Sequence, residues 1–210
     1  MPKVSKKYKE EKRSAILEAA TQCFAQKGYN ETTVDDIANA SGTSKGSIYL
    51  YFSSKEEIFF RLNEERTERF FAIKKELDMK KSATEKIHYL FEYFLSGKLE
   101  EGDLERISVS FEFWIYISKH PDKQKLFDER ANMFTDFMKE IVKEGIDAGE
   151  FSPDVSIQEL SYMFWALTDG ILLHLLFHKQ EKKHKAMLRT LEYMVLAYLK
   201  TGNRFSLETE

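Results

Sequence analysis

Apolar residues recur at helical spacing along almost the whole of this chain. Ile16, Ala20, Cys23 and Phe24 mark one face of a first helix, and Lys27-Gly28-Tyr29 reads as its glycine stop. Thr33 through Asp36 fits an N-cap with an acid three residues on, with Asp35 and Asp36 at the positive end of the helix dipole. Gly42 halts that short helix. Another begins at Thr43 or Ser44 and runs to about Phe52, and Ser53 or Ser54 caps a longer one predicted over about 54–78. Breaks at Gly97, Gly102, Pro121, Gly149 and Pro153 delimit further helices at roughly 83–97, 103–119, 122–148, 155–177 and 182–201. No segment alternates as a strand without a competing helical reading. The pattern predicts an all-α chain of about nine helices: a small domain over 1–60, a larger one over 61–210, and the 54–78 helix joining the two.

Composition agrees with a globular chain. Of its 210 residues 42% are hydrophobic and 32% charged, and the seventeen phenylalanines can fill a large core or line a cavity. The single cysteine, Cys23, excludes an intrachain disulfide and sits on an apolar face, where it reads as core. No apolar run approaches the ~20 residues of a membrane span, and the N-terminus lacks the apolar stretch of a signal peptide. A cytoplasmic protein with no membrane partner is expected. The net charge of -3 argues against a general polyanion binder. Its distribution is uneven, however: Lys3, Lys6, Lys7, Lys9, Lys12 and Arg13 face only Glu10 and Glu11 in the first thirteen residues. Such a basic arm is either a nucleic-acid contact or a frayed, solvated terminus.

The two short helices and their glycine turn form a helix-turn-helix pattern. Ala38 is small where the first helix presses on the second, and Gly42 can take positive φ without a Cβ penalty. Ile37, Ile48 and Phe52 can face inward, leaving Ser44, Lys45, Ser47, Leu50 and Tyr51 near the outer face of the second helix. That face suits a DNA major groove. The helix start offers free N–H groups to phosphate, and Gly46 allows close approach. Lys45 can reach a guanine edge or a phosphate, Tyr51 a phosphate or a thymine methyl, and Lys55 begins the next helix beside the DNA backbone.

The stretch "TTVDDIANASGTSKGSIYLYFSSKEEIF" resembles the DNA-binding signature of the tetracycline-repressor (TetR) family of bacterial regulators. The matching elements are Thr33, Ile37-Ala38, Gly42, Ser44-Lys45-Gly46-Ser47, Tyr49, Tyr51-Phe52 and Ser54-Lys55-Glu56, within about residues 10–60. Thr43 stands where a valine is common, and Leu50 occupies a variable position. The resemblance adds Thr33, Thr43 and Tyr49 to the DNA-facing set. It further implies double-stranded operator DNA as partner, a helical effector and dimer domain, and a homodimer in which binding of a small molecule alters the separation of the two reading heads. No cofactor is implied. Efflux and lipid metabolism are possible targets at the level of the family.

In the larger domain, Ile107, Phe111, Trp114 and Ile115 fall along one helical face, as do Met133, Phe134, Phe137, Met138 and Ile141. Tyr162, Trp165 and their neighbours follow on the next helix. Such residues are either ordinary core or the wall of an apolar effector pocket made from Phe111, Trp114, Phe134, Phe137, Met138, Tyr162 and Trp165. Glu112 either faces water or, if buried, favours a cationic or hydrogen-bonding effector. Asp169, beside Gly170 in an apolar helix, reads as a buried hydrogen-bonding group or the mark of a close helix contact at Gly170, and is carried as an effector candidate. His174 and His178 have metal-ligand spacing, but their place at a helix end is explained by the dipole, so no metal is expected. Residues 155–201, with Leu172, Leu173, Leu175, Leu176 and Phe177, then Leu188, Leu191, Met194, Val195 and Leu199, predict a four-helix dimer interface. A ligand-responsive repressor accounts for most of these features. An all-α enzyme using the aromatic cavity lacks a nucleophile elbow, phosphate loop or paired metal motif. A helical adaptor would leave the helix-turn-helix merely structural.

Overall fold

The computed structural model describes residues 5–96 and 102–202. The described residues form α1 (Lys6–Glu31), α2 (Val34–Ala40), α3 (Lys45–Tyr49), α4 (Lys55–Phe71), α5 (Lys74–Leu77), α6 (Ala83–Ser96) and α7 (Asp103–Ser118). After a 3₁₀ turn at Pro121–Lys123 follow α8 (Gln124–Asp147), α9 (Ile157–His178) and α10 (Glu181–Thr201). No strand occurs among the described residues. The all-α expectation holds, with one difference. The helix expected over 54–78 is two, because the chain leaves the helical ladder at Ala72 and re-enters at Lys74.

The caps explain most boundaries. Ser5 starts α1 by accepting from the Tyr8 amide, so Lys7, Lys9, Lys12 and Arg13 ride on its first turns rather than on a frayed arm. Lys3 lies outside the described residues. Gly28, at φ 80°, ends the regular part of α1. A Cβ there would be strained at this positive φ and would also crowd a Glu112 carboxylate oxygen at 3.2 Å. Thr33 and Asp36 form a reciprocal capping box, and Ser44 and Ser54 cap α3 and α4 through the amides of Ser47 and Glu57.

Two compact units result, and they do not follow a cut at residue 60. The first holds α1–α4 together with α7. Its core joins Ile16, Phe24, Ile37, Ile48, Phe52, Ile58 and Phe59 to Val109, Phe113 and Ile117 of α7. The inward face of α7 thus differs from the one expected: Phe113 is buried while Ile115 is 58% exposed. The run Val109–Ile117 is apolar on nearly every side, so its periodicity cannot choose a face.

The second unit contains α5, α6 and α8–α10. Ile87, Leu90 and Phe91 of α6 meet Met138 and Val142 of α8, Phe164 of α9, and Leu188 and Leu199 of α10 in the buried interior. Gly145 is obligatory here, since a Cβ would lie 2.1 Å from the Phe151 ring. Glu150 accepts from the amides of Ala83 and Thr84 and so caps α6. α9 is long and apolar enough, by length and composition, to cross a membrane, yet only 28% of its most apolar window is buried. Tyr162, Met163, Leu167, Leu173 and Phe177 stand exposed on it, and Gly170, expected at a close helix contact, has open space around it.

Candidate nucleic-acid interface

Gly42, at φ 61°, turns the chain between α2 and α3, and the Thr43 amide donates back to the Ala38 carbonyl at 3.0 Å. Ile37, Ile48 and Phe52 are each at most 1% exposed, so the inward face is the one expected. The opposite face is open. Ser44, Lys45, Gly46, Tyr49 and Leu50 are exposed, Leu50 at 83%. A Cβ added at Gly46 would meet nothing within 4 Å. Thr43, Ser47 and Tyr51 are half-buried, Tyr51 partly packed on the core. Leu50, the C-cap of α3, is exposed beside a cation, a phenol and a bare glycine backbone.

The cations are arranged less simply. The Lys45 ammonium lies 2.8 Å from Asp35 of α2, and that carboxylate raises its pKa. Asp35 is ten residues away and on another helix, so no local spacing announces the pair. Lys27 pairs with Asp36 at 2.6 Å; together with the cap bonds from Thr33 this holds the Asp36 carboxyl far below the usual carboxylate range. Thr33 is exposed but its hydroxyl is occupied, donating to Asp36 at 2.7 Å and accepting from the Asp36 amide. Arg13 stacks 4.7 Å over the Phe52 ring.

Lys55, expected beside the DNA backbone, is engaged within the protein. Its ammonium donates to the carbonyls of Tyr29 (2.6 Å), Asn30 (3.2 Å) and Thr32 (2.7 Å), and sits 4.4 Å over the Tyr29 ring. A lysine has three donors, and all three are used. Burial lowers its pKa, with Glu112 and Glu31 opposing that shift. Lys55 ties α4 to the end of α1.

Glu112 has the matching role from α7. Its carboxylate accepts from the Tyr29 amide at 2.5 Å, half-buried beside Gly28. This bond joins α7 to the end of α1. Tyr116 adds a bond to Glu56 at 2.8 Å, and Tyr29 stacks on Phe59 with ring centroids 4.3 Å apart. Phe111 and Trp114 are half-buried on the same helix, Trp114 against the core of the first unit.

The remaining effector candidates lie in the second unit. Phe134, Phe137 and Met138 are buried in α8. Trp165 of α9 donates its indole N–H to the Phe134 carbonyl at 2.7 Å, with the rings 4.7 Å apart. Phe94 and Phe164 flank the same indole. Tyr162 is 67% exposed and Asp169 is exposed too, so neither belongs to this aromatic group. A cavity of about 240 Å³ does occur, but in the first unit, between α1, α4 and α7. Thr21, Asn63 and Ser110 form its polar floor with Leu17 and Val109, and Arg66 and Arg106 stand among its rim. No expected effector residue lines it. Its volume is below that of common ligand pockets, about 300–1,000 Å³.

Comparison with known proteins was made on sequence and on structure. Residues 16–62 match the family model described as bacterial regulatory proteins, tetR family, and residues 87–186 match the tetracyclin repressor-like C-terminal domain. The uncharacterised HTH-type transcriptional regulator YfiR of Bacillus subtilis is 30% identical over 95% of this chain and 96% of its own length. The FadR regulator of Bacillus subtilis, solved with stearoyl-CoA, superposes with a TM-score of 0.72 at 25% identity, covering 90% of this chain and 98% of that one. A transcriptional regulator of Saccharomonospora viridis, solved with choline, gives 0.75 at 25% identity over 89% and 96%.

Proposed function

Because the chain belongs to the tetR family of bacterial regulatory proteins, we propose that it is a dimeric repressor that reads its operator with α3 and is released by an apolar or amphipathic small molecule. That it is a ligand-responsive, DNA-binding transcriptional regulator follows from the family. The rest is our reading, and one observation carries it: the outer face of α3 combines Lys45, Tyr49 and a Leu50 that is 83% exposed around a glycine with open space. Lys45 and Tyr49 supply donors, Leu50 an apolar surface for a thymine methyl, and Gly46 the close approach. We place the protein in the cytoplasm, where its DNA lies.

The aromatic group of Phe134, Phe137 and Trp165, with Met138, supports an apolar or amphipathic effector, and so do relatives solved with stearoyl-CoA and choline. Glu112 is already bonded to Tyr29 and is not assigned to it. Lipid metabolism is therefore the favoured target class. The exposed apolar faces of α9 and α10 support a second copy as their cover: Tyr162, Met163 and Phe177 on one, Tyr193 and Met194 on the other. Two heads reading successive major grooves need centres about 34–36 Å apart. Footprinting on the DNA flanking the protein's own coding region, with and without stearoyl-CoA, tests the reading. Protection of two half-sites, lost with ligand, is expected; absence of any protected site at low salt contradicts it.

A further inference from the structure

We propose that His174 and His178 form a two-imidazole site for a borderline divalent cation such as Zn²⁺ or Ni²⁺ on the open face of α9. The two residues are four apart on one helix, and their rings lie 5.8 Å apart and 6° from parallel. Both are exposed, and among the described residues neither makes a hydrogen bond or an ion pair. Neighbours at this spacing share one side of a helix, and imidazole nitrogen is a common ligand for these ions at about 2.0–2.1 Å. Rotation of the two exposed side chains would aim one nitrogen of each at a single ion.

The helix dipole does not account for the pair. It acts within the last turn, which contains His178 but not His174, since Lys179 is the C-cap. Imidazole ligates a metal through a nitrogen that carries no proton. No group of three ligating residues occurs among the described residues, so water completes the coordination and the site is a chelate of one helix. Leu173 and Phe177, each adjacent in sequence to one of the histidines, are exposed beside it. An ion there consequently borders the surface we assign to a second copy; that consequence rests on the dimer reading, whereas chelation does not.

The test uses the full chain free of any affinity tag, titrated with ZnCl₂ by calorimetry. One ion per chain is expected. His174→Ala and His178→Ala should each weaken binding at least about tenfold, since even outer partners of metal ligands are worth 10–100-fold. His88→Ala and His120→Ala should leave it unchanged. Binding should persist at one per chain in Tyr193→Arg, the substitution meant to disrupt the dimer, so failure of the dimer is distinguishable from failure of the site. No binding, affinity indifferent to both alanine variants, or binding lost in Tyr193→Arg would overturn the proposal.

Discussion

The ammonium of Lys45 on α3 lies 2.8 Å from the carboxylate of Asp35 on α2, so the cation on the outer face is paired before DNA arrives. Binding to phosphate must exchange that partner, and the displaced carboxylate then stands near an anionic backbone. Asp35→Asn should therefore tighten DNA binding, by up to about fivefold given the small worth of exposed pairs. Lys45→Ala should weaken it and reduce the slope of log affinity against log salt by about 1. Fluorescence anisotropy on a duplex at several salt concentrations reads both effects. Identical slopes in wild type and Lys45→Ala would remove this lysine from the phosphates.

Lys55 should behave differently. Its three bonds hold carbonyls of Tyr29, Asn30 and Thr32, and Lys55→Met leaves them without their donor. A loss of about 2 kcal/mol is expected, or a melting temperature lower by about 4–8 °C for a chain of this size. The salt slope of DNA binding by the folded protein should not change. A changed slope with unchanged melting would return Lys55 to the DNA.

How much of this was legible in the sequence depends on the distance between partners. The caps at Thr33, Ser44 and Ser54, the turn glycines and the inward trio of Ile37, Ile48 and Phe52 all declare themselves within a few residues. Lys55 and Glu112 do not: their partners lie 26 and 83 residues away along the chain. The face of α7 was hidden by a run that is apolar on nearly every side. On α10 two apolar stripes are left undistinguished for a related reason. Leu188, Leu191, Val195 and Leu199 are all at most 5% exposed and form its inward stripe, while Tyr193 and Met194, at 75% and 57%, point out. Both stripes are apolar, and only folding tells them apart.

This assigns the dimer test to new positions. Tyr193→Arg with Phe177→Arg should yield a folded monomer in analytical ultracentrifugation, with helicity unchanged by circular dichroism. Leu191→Arg should instead unfold the chain, because it buries a charge in the second unit. A dimer surviving the first pair of substitutions would place the interface elsewhere.

Removing the Glu112 side chain should loosen α7. Glu112→Ala leaves the Tyr29 amide without its acceptor and should cost about 1–3 kcal/mol in urea unfolding. Glu112→Gln keeps an oxygen in place and should cost less. Equal losses in the two variants would mean that the charge, and not the bond, is what matters.

Acid should destabilise the fold in two stages of the same sign. Burial holds the His184 pKa below its ordinary 6.5, so as pH falls past that value the unfolded chain takes a proton that the folded chain refuses. Stability then declines until the folded pKa is passed. Glu57 and Glu150 are held below 4.5 chiefly by hydrogen bonds from Ser53 and Thr84. Their contribution is present above 4.5 and is lost as pH falls through the folded values. Melting temperature measured from pH 7 to pH 3 should show both stages, with His184→Leu flattening the upper one and Glu150→Gln the lower. A variant His184→Leu that keeps the upper decline would assign it to another group.

The central claim is that two copies of α3 read one DNA site. Selection from a pool of randomised duplexes by the full-length protein tests it most directly, followed by anisotropy with the enriched sequence and with Leu50→Ala and Lys45→Ala. The account predicts enrichment of a near-palindrome whose half-site centres lie about 34–36 Å apart or at a multiple of the helical repeat. Binding should weaken with salt and weaken further in both variants. A pool that remains random after repeated rounds, or an enriched site bound equally well by Lys45→Ala and Leu50→Ala, would contradict it.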